Sequence, residues 1–327
     1  MRAGANLPSI LFLEEIFMKL SNDTILSITF GAIRHERIGE GLRFYKCTEK
    51  QIEVWAKENK DIGDRAAGCT GVRLDFHTDA DWIRFKAPCG KFELLVDDLT
   101  AHQFIAGEET EFYAELGEGE KRVMLLFPSH DVEGTLEWVE LPDGATIKPH
   151  QYDRKILFIG DSITQGWNSG FDSTSYAWRV SRKLNADSVI NGIGGAYYLE
   201  KSFDSIDFDP DTVIVAYGTN DYGHYPTQEE LRRECAGFLD HIKEEYGNRE
   251  VYCILPIWRF DLEKVRKMGN FDDCRRVIQE EIEKRGFHII DGYKLVPHLD
   301  FFYADVVHPN AIGFAEYAKK LIEILEK

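Results

Sequence analysis

The order of apolar and polar positions divides the chain near residue 150. Before that point the runs are short and alternate. Val72-Arg73-Leu74-Asp75-Phe76 puts three apolar side chains on one face and two charged ones on the other, the period of a half-buried strand. Trp82–Ala87, Phe92–Val96, Glu111–Leu116, Arg122–Phe127 and Thr135–Leu141 read the same way. Between them lie turn residues, such as Pro88-Cys89-Gly90, Gly117-Glu118-Gly119 and Pro142-Asp143-Gly144. Strands at this spacing, with no long helical pattern among them, predict an antiparallel β-sandwich over residues 21–150. Gln51–Asn59 fits a short helix or a further strand equally well.

From residue 151 the period changes. Lys155-Ile156-Leu157-Phe158-Ile159 is almost continuously apolar, as a parallel strand covered on both faces must be. Similar runs recur at Ser188–Ile190, Thr212–Ala216, Val251–Leu255 and His288–Ile290. Helical patterns separate them at Tyr176–Leu184, Gln228–Tyr246 and Asp272–Arg285, and a last one covers Ala311–Glu326. Strand and helix in alternation predict an open parallel α/β sheet over 151–327, with its ligand site beyond the carboxyl ends of the strands.

Composition narrows the partners. The 327 residues include 57 Asp and Glu against 39 Lys and Arg, a net charge of −18. That excess argues against nucleic acid or an anionic membrane surface as the ligand. No run approaches the roughly 18 apolar residues of a membrane span. Residues 1–20 read as a loose leader: the apolar run Ile10–Leu13 stops at Glu14, too short for a signal-peptide core, and Met18 is a second candidate start. The six cysteines form no C-x-x-C pair and no zinc spacing, so free thiols and a cytoplasmic location are expected, with no metal or cofactor. A homo-oligomer is left open.

Four segments fall at the strand ends where a ligand would sit. Gly160-Asp161-Ser162-Ile163-Thr164 follows the first run and presents a serine hydroxyl at the sheet edge. Asn191-Gly192-Ile193-Gly194-Gly195 follows the second, and its glycines let the backbone pass close to a neighbour. Tyr217-Gly218-Thr219-Asn220-Asp221 ends the third with an amide that can donate into the same cleft. Asp305-Val306-Val307-His308-Pro309 precedes the last helix, with a histidine able to take a serine proton and an aspartate able to orient it. Each alone has an ordinary explanation: a capped turn, a tight strand-to-helix turn, an Asx-turn, or one surface histidine among ten. Together, on one edge of one sheet, they point to nucleophilic acyl transfer.

These four segments resemble the sequence blocks of the GDSL, or SGNH, hydrolase superfamily. The resemblance implies a three-layer α/β/α, flavodoxin-like domain with Ser162 as nucleophile, His308 as base and Asp305 as its partner. It also implies an oxyanion hole made by the Ser162 and Gly195 backbone and the Asn220 side chain. A β-sandwich placed ahead of such a domain is similar to the layout of two-domain carbohydrate esterases of family 2, the acetyl-xylan esterases among them; there the sandwich is jelly-roll-like. Some of those enzymes lack the acid, which would make Asp305 the least essential member. The implied activity is hydrolysis of short acyl esters, acetyl above all, on a small sugar. A lipid-directed acylhydrolase (lysophospholipase or thioesterase) and a non-catalytic carbohydrate-binding protein are the alternatives. Trp167, Tyr222 and Trp258, aromatic residues close to the blocks, are the candidates for stacking on a sugar ring.

Overall fold

The structure is a computed structural model that describes residues 17–130 and 133–327. Most of the expected leader lies outside the described residues. Its end does not: Phe17–Lys19 forms a strand paired with Trp138–Pro142, so the sandwich starts earlier than residue 21.

Two antiparallel sheets pack face to face in the N-terminal half, beside a smaller three-stranded one. One orders Phe17–Lys19, Trp138–Pro142, Trp82–Lys86 and Glu111–Glu115. The other centres on Arg73–Thr78, Lys121–Leu126, Gly90–Val96 and Leu99–Ala106. Their inner faces meet in one apolar cluster: Leu74, Phe76, Leu94, Val123 and Leu125 against Ile83, Phe85, Phe112, Val139 and Leu141. The alternation in sequence is what allows this, since every second side chain points inward. The run Thr135–Leu141 is split into Gly134–Leu136 and Trp138–Pro142, which join different sheets. Gly134–Leu136 pairs instead with the hairpin Arg34–Ile38 and Gly41–Tyr45.

The ambiguous segment is a helix, Glu49–Glu58, followed at once by a second, Lys60–Ala66. Ile52 and Val54 alternate like a strand, but a capping box decides the matter: the Thr48 hydroxyl accepts the Gln51 N–H, and the Gln51 side chain accepts the Thr48 N–H. Trp55, Ile62 and Ala66 from these helices are buried in the same cluster as Leu157, Val189, Val213 and Val215 of the second half.

The C-terminal half is a five-stranded parallel sheet in the order Ala186–Gly192, Arg154–Gly160, Thr212–Ala216, Glu250–Ile254, His288–Ile290. Successive side chains serve opposite faces. Ile156 and Phe158 pack under the helices Tyr176–Lys183 and Ala311–Leu325, through Val180, Phe314, Tyr317 and Leu321. Leu157 and Ile159 pack under Gln228–Tyr246 and Phe271–Arg285, through Leu231, Phe238, Val277 and Ile282. The result is the expected three-layer α/β/α sandwich. The Arg154–Gly160 strand is flanked by the second strand on one side and the third on the other, so the strand order reverses there. A crevice at this switch point, outside the carboxyl ends, is the usual ligand position in such sheets.

All six cysteines are unpaired. Among the described residues no helix is long and apolar enough to cross a membrane.

Candidate active site

The first strand ends at Gly160, and Asp161 caps a four-residue helix, Ser162–Gln165, by accepting the Ile163 N–H at 2.9 Å. Ser162 therefore sits at the first helical position, where its backbone N–H has no acceptor within the helix. Its Oγ lies 2.8 Å from His308 Nε2. The other imidazole nitrogen, Nδ1, lies 2.8 Å and 3.1 Å from the two Asp305 oxygens. With Nδ1–H donating to Asp305, Nε2 carries the lone pair that faces the serine proton.

Three more donors fix Asp305. Its Oδ1 accepts the N–H groups of Val307 and His308, each at 2.8 Å, and its Oδ2 accepts the Asn168 amide at 2.8 Å. Burial alone would raise this carboxyl; the His308 and Val307 N–H groups and the imidazole outweigh it and hold the group below the usual carboxylate range. An ionised Asp305 is thus available at neutral pH to balance an imidazolium. Asn310 then starts the terminal helix by accepting the Ile312 and Gly313 N–H groups.

The second strand closes down on this turn. A Cβ at Gly192 would stand 2.3 Å from the Gln165 backbone nitrogen, so only glycine permits the contact. Gly195 has φ +88°, a conformation other residues rarely adopt. Gln165 is fully buried and bridges three segments: its Oε1 accepts the Gly194 N–H at 2.7 Å and its Nε2 donates to the His130 carbonyl at 2.9 Å. Asn220, at the tip of the third strand, donates one amide hydrogen to the Ala196 carbonyl at 2.9 Å. The neighbouring Asp221 is fully buried and accepts the Tyr198 N–H at 2.9 Å.

Serine, histidine and aspartate are thus brought together, and Gly195 and Asn220 are held by one connected backbone network. The three aromatic candidates fare differently. Trp167 flanks the histidine, with ring centroids 6.5 Å apart. Trp258 is stacked on His298 at 4.9 Å and meets the histidine loop through Tyr303. Tyr222 is fully buried, donates to the Lys264 carbonyl and packs on Phe271, so it offers no face to a ligand. Its position two residues after Asn220 suggested a site residue; the helix Asp221–His224 turns it inward.

Residues of the N-terminal half also reach the site, and the sequence did not single them out. The Arg65 guanidinium donates to the Gly194 carbonyl at 3.2 Å and lies 5.1 Å from the Trp167 ring. Among the described residues no carboxylate pairs with it. His130 packs edge-on against Trp167 at 4.8 Å. The legible signal was the T-x-x-Q pattern at Thr48, which marks a helix start and thereby places the following helical residues.

Comparisons with known proteins agree with this arrangement at the level of class. Residues 158–315 match the model of the GDSL-like Lipase/Acylhydrolase family. Comparison with the curated proteins returned no match. Solved structures share the fold across both halves. A salicylyl-acyltransferase from a tetracycline biosynthetic pathway is 18% identical, with TM-score 0.76 over 91% of this chain and 93% of its own. A family two carbohydrate esterase from Cellvibrio japonicus is 16% identical, with TM-score 0.68 over 95% and 97%. Another from Clostridium thermocellum, solved with cellohexaose, is 15% identical, with TM-score 0.67 over 91% and 98%. At such identities the likeness establishes the two-part fold, and the family match supports an ester hydrolase.

Proposed function

We propose that the C-terminal half, which matches the GDSL-like lipase/acylhydrolase family, hydrolyses short acyl esters carried on a carbohydrate, using Ser162, His308 and Asp305. The observation that carries the reading is the 2.8 Å contact from Ser162 Oγ to His308 Nε2, continued from Nδ1 to Asp305. His308 takes the Ser162 proton as Oγ bonds to the ester carbonyl carbon. The carbonyl oxygen becomes an oxyanion and is met by the Ser162 and Gly195 N–H groups and by the Asn220 amide. His308 then gives its proton to the departing alcohol oxygen, the C–O bond breaks, and an acyl-serine remains. Water then gives a proton to His308 as its oxygen bonds to the acyl carbon; the bond from that carbon to Oγ breaks, His308 returns the proton to Oγ, and the acid leaves with the serine hydroxyl restored.

Replacing Ser162 by alanine is expected to abolish release of p-nitrophenol from its acetate while leaving the melting temperature unchanged. Turnover near that of the native protein would overturn the nucleophile assignment.

One observation favours a lipid-directed acylhydrolase as a second reading. Phe260, Leu299, Phe301 and Val306 are exposed on and around the histidine loop, where a sequence without a long apolar loop gave no reason to expect an apolar surface. Acetyl and octanoyl p-nitrophenyl esters separate the two readings: a higher kcat/KM for acetyl supports the sugar esterase, and a higher value for octanoyl supports the lipid enzyme.

A further inference from the structure

A cavity of about 520 Å³ opens between the two halves beside the catalytic groups. Lys91, Glu93, Ile105 and His130 line it from the N-terminal half, Trp167 and Phe171 from the C-terminal half. Its volume falls within the roughly 300–1,000 Å³ over which small-molecule sites occur, far more than an acetyl group requires.

Its position relative to the histidine decides what it would hold. His308 Nε2 hands its proton to the leaving oxygen, so the leaving group lies on the histidine side of the ester, with the acyl substituent directed away. Trp167, which walls the cavity, is 6.5 Å from His308 between ring centroids. Asn168, also in the wall, donates to Asp305. The cavity therefore adjoins the site on the histidine side, through Trp167.

The walls state a chemistry. Trp167, Phe171 and the exposed Ile105 give apolar faces. Lys91 at the rim is an exposed donor with no carboxylate pairing to it among the described residues, and Glu93 supplies carboxylate oxygens that also receive the Ser173 hydroxyl at 2.7 Å. Flat apolar faces with donors and acceptors between them suit a ring that is apolar on its faces and hydroxylated at its edges.

We infer that this cavity between the halves is the leaving-group subsite, that it takes a neutral, polyhydroxylated ring alcohol, and that the N-terminal half thereby sets leaving-group specificity. The inference rests on the ester-hydrolase reading for its catalytic half. Its binding half stands on the cavity alone.

The test uses Ile105→Trp, a substitution on an exposed strand end that crowds the cavity, with Lys91→Ala as a second variant that removes a donor without adding bulk. Two esters sharing one acyl group, mono-O-acetylated xylobiose and ethyl acetate, are compared with ethyl butyrate, which changes only the acyl group. The xylobiose-to-ethyl-acetate ratio of kcat/KM is expected to fall about tenfold in Ile105→Trp. The acetate-to-butyrate ratio is expected to hold. A changed acetate-to-butyrate ratio with an unchanged leaving-group ratio would assign the cavity to the acyl chain and overturn the inference. Calorimetric titration of a panel of neutral disaccharides reads binding without turnover. The native protein is expected to bind at least one, and Ile105→Trp to bind it about tenfold more weakly. No binding up to about 10 mM of any sugar would sink the inference. Sugar binding that Ile105→Trp weakens, in a native protein inert to every ester, would retain the subsite and defeat the hydrolase reading instead.

Discussion

Asn220 shows how much chemistry one amide can hold. Its Nδ2 carries two hydrogens, and the Ala196 carbonyl takes one of them. That bond sets the direction of the second, which the proposed mechanism aims at the oxyanion. Asn220→Ala loses both functions, so kcat for an acetyl ester is expected to fall by roughly 10²–10³, the usual cost of removing one such donor. Steady-state kinetics with KM little changed would mark a contact made mainly in the transition state. A loss confined to KM would remove Asn220 from that role. The serine, asparagine and histidine were legible in sequence only jointly: each alone reads as an ordinary turn, cap or surface residue. Their shared place at the strand ends and the loop before the last helix of one sheet singled them out. Arg65 was not legible. It is one arginine of a polar helix face, and only the packing of Lys60–Ala66 against Gly194 brings it to the site.

At the scale of elements, the site depends on how closely the second strand approaches the Ser162–Gln165 helix. Gly192→Ala forces a Cβ into the Gln165 backbone, which has no flexible end to yield. A destabilisation of about 1–3 kcal/mol is expected from overpacking. Displacement of the helix carrying Ser162 should lower kcat as well. Chemical denaturation and esterase assay of the same preparation check both, and a variant as stable and active as the native chain would refute the packing argument. The elements themselves were mostly readable: helix Gln228–Tyr246 and strand Thr212–Ala216 have the ends expected from their periodicity. The short pairings at Thr29–Phe30 and Lys148–Pro149 were not, because two residues carry no period. Arg34–Ile38 is mostly exposed and polar, so it lacks the alternation that marks a half-buried strand.

At the scale of the whole molecule, folding buries acids that the sequence shows only as part of a negative total. Desolvation raises Asp161 to about 7, against the Ile163 N–H that its side chain accepts. Desolvation likewise raises Asp221 to about 7, against the backbone N–H groups it accepts, Tyr198 first. A carboxyl with a raised folded pKa binds its proton more tightly folded than unfolded. Its contribution to stability is therefore present at low pH and is lost as pH climbs from the ordinary value near ~4 through about 7. Asp221→Asn keeps the acceptor for Tyr198 and removes the titration. Its melting temperature is expected to decline less than the native one between about pH 5 and about pH 8, as calorimetry can measure. Equal declines would exclude Asp221 as a source. The same scale explains the division between what the chain determined alone and what folding added. Local period and turn chemistry determined most of the strands and helices and marked Ser162 as part of one of four candidate segments, because these depend on neighbours a few residues apart. The proposed triad needed Ser162 and His308, 146 positions apart, to meet at one strand edge. Helices counted in the first half became part of the second half's core, and the cavity exists only where the two halves face each other. Such contacts depend on distances in space that no local pattern encodes, so the tertiary structure alone decided them.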